Sequence, residues 1–133
     1  MNYSDLAGFT GTESYYRGLS YYLTDGTYYV AGKCAAFWLF DAIASHITGF
    51  KFKDNLYVRH LDKAADDMPA RLNIYLDYDK ENDDFNRQHL VATQHFEYTD
   101  FFDEFSEERF ECLCQWTVLN DKPALVCFLT SEY

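Results

Sequence analysis

Residues 24–49 read TDGTYYVAGKCAAFWLFDAIASHITG, and the fold turns on how this stretch is parsed. Thr24 or Asp25 can cap a helix by accepting a hydrogen bond from an N–H of its first turn. Gly49 can end one, because glycine enters the left-handed conformation past a helix end without steric cost. At about 100° per residue, Lys33, Asp41 and Ser45 fall within about 120° of arc. The remaining arc holds Tyr28, Ala31, Ala35, Trp38, Leu39, Ala42 and Ile43. So wide an apolar stripe predicts one long central helix over about residues 25–48, with Trp38 in the core. The run 28–47 is apolar enough to raise the question of a membrane span. Lys33 and Asp41 would each cost about 2.5–3.5 kcal/mol near a bilayer centre, so it reads as a buried helix of a soluble domain.

Working outward, residues 8–12 form a loop, and Thr12 is placed to cap a short helix over residues 13–19. Beyond Gly49 the apolar period changes to two. Residues 56–61 read as a strand, as do residues 71–78, where Leu72, Ile74, Leu76 and Tyr78 share a face, and residues 88–98, although Leu90-Val91-Ala92 would also suit a helix. The polar run 79–86 is a turn, and residues 101–108 are a loop or a single helical turn. Strands 109–119 and 124–130 then flank Asn120-Asp121-Lys122-Pro123 as a hairpin. The expected class is α+β, a single domain with N-terminal helices packed on an antiparallel sheet of about four or five strands.

Composition narrows the function. Aromatic residues make up 20% of the 133, with twelve Tyr and twelve Phe. That is more tyrosine hydroxyl than a core readily satisfies, so several rings are expected half exposed, as at interfaces, where self-association is one use. The formal charge of −11 is one-sided: residues 62–133 carry seventeen acids and six bases, whereas residues 1–61 are balanced. Phosphate binding needs a basic face, which speaks against direct contact with nucleic acid and favours a basic protein partner.

A set of short words carries a resemblance. They are Phe9-x-Gly11-Thr12-Glu13, Thr24-Asp25-Gly26, Ala36-Phe37-Trp38-Leu39-Phe40-Asp41-Ala42-Ile43-Ala44-Ser45, Tyr98-Thr99-Asp100-Phe101 and Ser131-Glu132-Tyr133. Together they resemble a family of small bacterial, plasmid and phage domains of unknown function, with a departure at Phe102 where that family has proline. The resemblance implies a context, the bacterial cytoplasm and often a mobile element, and no activity.

Constellations that could carry chemistry are few. Cys112, Cys114 and Cys127 could share a sheet face, but an i, i+2 pair within a strand departs from the spacing of zinc ligands, and Trp116 and Val118 continue that face as a core would. Residues 77–83 imitate the start of a calcium loop, yet Asn82 stands where the sharp turn needs glycine and Gln88 where a bidentate glutamate is required. His46, His60, His89 and His95 fall into no catalytic spacing, and Ser45 and His46 point about 100° apart on a helix. No metal or other cofactor is expected, and nothing positive supports an enzyme.

Residues 96–111 stand out. Glu97, Asp100, Asp103, Glu104, Glu107, Glu108 and Glu111 alternate with rings that include Phe101 and Phe102. These nine are the expected partner-binding residues: spaced carboxylates can imitate nucleic-acid phosphates while rings anchor in pockets, the alternative being that the rings are core and the carboxylates only its wet face. The expected function is a non-catalytic inhibitor from a phage or mobile element that blocks a basic nucleic-acid-binding surface, such as a CRISPR effector complex. The alternative is a small enzyme or ligand-binding domain using a pocket lined by the N-terminal words.

Overall fold

The computed structural model describes residues 1–47, 56–63, 70–76, 90–97 and 99–132. Gly49, the 79–86 turn, the calcium-like stretch, His89, Tyr98 and Tyr133 lie outside them.

Thr24 caps a helix as its sequence suggests, its hydroxyl accepting from Thr27 N, but that helix is short. Helix α2 spans Asp25–Lys33 and α3 spans Phe37–Ile47, so the continuous helix over about residues 25–48 does not form. The break is a C-terminal cap. Ala35 takes φ 49, Ala35 N donates to Gly32 O and Ala36 N donates to Ala31 O. That bond pair is the Schellman pattern with alanine where glycine is usual. After it, α3 buries Leu39, Phe40, Ile43, Ala44 and Ile47 along one side. Trp38 is only half-buried, at the core's margin, with Phe96 edge-to-face at 5.0 Å.

The expected helix over residues 13–19 is replaced by an extended pair, β1 (Tyr16–Arg17) and β2 (Tyr22–Leu23). A single turn, α1 (Tyr3–Leu6), precedes it. The other strands are β3 (Leu56–Asp62), β4 (Ala70–Leu76), β5 (Leu90–Phe96), β6 (Arg109–Leu119) and β7 (Lys122–Phe128), with a helical turn α4 (Phe101–Glu104) between β5 and β6. They form one seven-stranded sheet in the order β1-β2-β7-β6-β3-β4-β5. It is mixed, because β2 runs parallel to β7 while every other neighbouring pair is antiparallel. The four or five antiparallel strands expected from sequence are thus two too few at least, and miss the parallel pair.

The final hairpin closes more tightly than the sequence suggests. Leu119 pairs with Lys122, and Asn120 and Asp121 both have positive φ, the mark of a two-residue type I′ turn. Pro123 then joins β7 opposite Val118, beyond the part of β7 that β2 covers, so its missing N–H costs no ladder bond there.

Alternation along the strands gives the sheet two faces. Leu61, Leu72, Ile74, Phe110, Cys112, Cys114, Leu125 and Cys127 pack with α2 and α3 in the main core. The three thiols are therefore core residues, and burial pushes Cys112 up to about 12 despite the lowering pull of Arg59 beside it. Leu113, Val126 and Phe128 face the other way in a smaller cluster. Among the described residues no helix is long and apolar enough to cross a membrane.

Candidate functional site

Segment 97–111 is held from beneath. Phe101, Phe105 and Phe110 are at most 1% exposed and pack against one another, tilted or edge-to-face, with ring centroids 5.4–5.5 Å apart. Phe40 of α3 meets Phe110 edge-to-face. Of the two rings expected at the surface, Phe102 is half-buried and Phe101 is enclosed. The amino-terminal residues tie the segment down from the side. The Met1 amine donates to Glu104 O at 2.8 Å and Ser106 N donates to Met1 O at 2.7 Å. The Tyr3 hydroxyl donates to Arg109 O and accepts from Glu111 N, and burial, with Glu111 nearby, raises its pKa.

With the rings turned inward, the carboxylates turn outward. Glu97, Asp100, Asp103, Glu104 and Glu108 are exposed and Glu107 is half-buried. Asp100 sits at the start of α4 but its side chain caps nothing; Thr99 accepts from Phe101 N instead. None of these six carboxylates forms an ion pair among the described residues. Glu111 is different: it lies on β6, facing Arg109 at 3.9 Å and His60 at 3.7 Å.

A second assembly gathers three of the sequence words at the start of α2. Thr12 Oγ1 accepts from Asp25 N, and the Asp25 carboxylate accepts from Glu13 N. Asp25 also accepts from the Tyr16 hydroxyl, which raises the tyrosine's pKa. From the other end of the chain, Glu132 accepts from Thr24 Oγ1 at 2.6 Å, Gly26 N at 3.1 Å and Leu129 N at 2.8 Å. Words 108 residues apart are thus one hydrogen-bonded knot. Thr12, Tyr15, Thr24 and Glu132 also border an open cavity of about 330 Å³ floored by Val126 and Phe128. No local pattern in the sequence links Glu132 to Thr24; the co-occurrence of the words is the only signal for their meeting.

Among the described residues no cluster of His, Cys, Asp or Glu could hold a metal ion. A model of a family of unknown function (DUF6876) matches residues 2–133. No curated protein and no solved structure matches the chain.

Proposed function

Because the chain belongs to this family of unknown function, its role has to be read from its own surface, and we propose that it is a non-catalytic binding protein whose acidic segment docks on a basic protein surface. The supporting observation is the row of six carboxylates between Glu97 and Glu108, unneutralised among the described residues and carried on a backbone anchored by three buried Phe rings. Charges on a fixed frame need little ordering on binding, so more of the Coulomb attraction is kept as affinity. The partner this suits is a protein surface that otherwise holds nucleic acid. A phage or mobile-element inhibitor of a CRISPR effector complex in a bacterial cell is the first case to test.

The test is competition. Wild-type protein should displace guide RNA or DNA from the effector, and the triple variant Asp103→Lys, Glu104→Lys, Glu107→Lys should not. A surface ion pair contributes about 0–1 kcal/mol to stability, and none of these three carboxylates forms one among the described residues, so the variant should stay folded. A folded triple variant that competes as well as wild type ends this reading.

A second reading, a domain that binds a small ligand at the knot, draws on the cavity beside Thr12, Tyr15, Thr24 and Glu132. Its ligand affinity would change little with salt, unlike charge-driven docking.

A further inference from the structure

The sheet face turned away from α2 and α3 is laid out in transverse rows that no local stretch of sequence displays. Across β6, β3, β4 and β5, register aligns Arg109, Asp62, Arg71 and His95 in one row. Two residues further along, and so on the same face, come Glu111, His60, Asn73 and Thr93. The next row puts Tyr75 beside Leu90. Along β4, polarity therefore falls from the charged Arg71, through the neutral hydrogen-bonding Asn73, to Tyr75.

Parts of these rows line a half-open cavity of about 360 Å³. Its floor is polar yet dry: His60 is 4% exposed and Asn73 6%, although both face away from the main core. A merely wet sheet face would leave such side chains open to water. The floor is also fixed in place. Thr93 donates to Asn73 Oδ1 at 3.0 Å, Asn73 donates to Asp62 at 3.3 Å, and Asp62 accepts from Arg109 Nε at 2.5 Å. Arg109 is thus satisfied by Asp62 and approached by Glu111. Arg71, exposed in the same row, forms no ion pair with a described residue, and His95 is its cross-strand neighbour.

We infer that this cavity binds a small ring-bearing oxyanion, its phosphate or carboxylate held by Arg71 and His95 and its ring laid against Tyr75 and Leu90. An arginine fork matches two oxygens of such a head group. Leu90, 47% exposed, and the half-buried Tyr75 would gain cover from a ring. A cavity of this size suits a ligand of one ring and one head group. The acidic surface nearby does not forbid an anion. At physiological salt the field of solvent-exposed carboxylates is screened over about 8 Å, and Asp62 and Glu111 are engaged with Arg109 and His60.

Calorimetric titration of the full chain with phenyl phosphate, benzoate and inorganic phosphate tests this. At least one of the two ring-bearing anions should bind saturably at millimolar concentration or below, the better of the two naming the head group. Inorganic phosphate should bind about tenfold more weakly, for lack of ring burial. Arg71→Ala should weaken the ring-bearing ligand by about tenfold or more, and Leu90→Ala should weaken it without affecting inorganic phosphate. Both positions are exposed, so melting temperatures near wild type will show that the variants are folded. In imidazole NMR spectra the ligand should shift His95 and leave His46, on α3, unmoved. The inference fails if neither ring-bearing anion binds, if folded Arg71→Ala binds as well as wild type, or if His46 shifts in place of His95.

Discussion

Gly26 leaves no room for a side chain. A Cβ there would lie 2.5 Å from Leu129 Cδ1 and 2.7 Å from Glu132 Oε1. The space it vacates is where Glu132 reaches in to take its bonds from Thr24, Gly26 and Leu129. One side chain thus joins the last residues described to the first turn of α2. Removing a charged acceptor leaves its donors unpaired, and Thr24 is only 3% exposed. Glu132→Ala should therefore cost about 2–4 kcal/mol in urea denaturation. Glu13→Ala, at an exposed side chain in the same knot, should stay within about 0.5 kcal/mol of wild type. Equal losses in the two variants would mean that the Glu132 carboxylate does not hold the knot together.

At the level of elements, the decisive departure from the sequence pattern is Ala35. Its left-handed φ of 49 strains an L-residue by about 1–2 kcal/mol, part of which glycine would return as extra freedom in the unfolded chain. Ala35→Gly should accordingly stabilise the protein by about 0.5–1 kcal/mol, and Ala35→Val should lower its melting temperature. A glycine variant that melts lower than wild type would show that α2 runs on into α3. The same residue explains why the break was illegible. Alanine is the best helix former, and apolar periodicity carries on across it, so no stop signal stands at position 35. β1 and β2, two residues each, are too short to show a period of two. The β6–β7 hairpin was legible because alternation and turn residues are both local. At the candidate site, the exposure of the carboxylates could be read from their chemistry, but the inward turn of Phe101, Phe105 and Phe110 depends on α3 and the sheet. The charged row was hidden entirely, since Asp62 and Arg109 are 47 residues apart and meet only through register.

For the molecule as a whole, a formal charge of −11 acts on stability and on binding in opposite senses. Six carboxylates of segment 97–108, unpaired among the described residues, repel one another in the folded state, and that repulsion is confined to a small surface. Added salt screens it, with a screening length falling from about 30 Å at 0.01 M to about 8 Å at 0.15 M. The proposed docking to a basic partner would depend on the same unscreened field, chiefly through the association rate. Raising sodium chloride across this range should therefore increase the melting temperature of the free protein while slowing its association with the partner. The dissociation rate should change much less, because contacts made after docking, such as those of Phe102, are short-ranged. In the triple-lysine variant both salt effects should shrink together, since one set of charges causes both. A melting temperature that falls with salt would mean that these carboxylates are engaged in attractive pairs, and that the acidic row is part of the fold's own support.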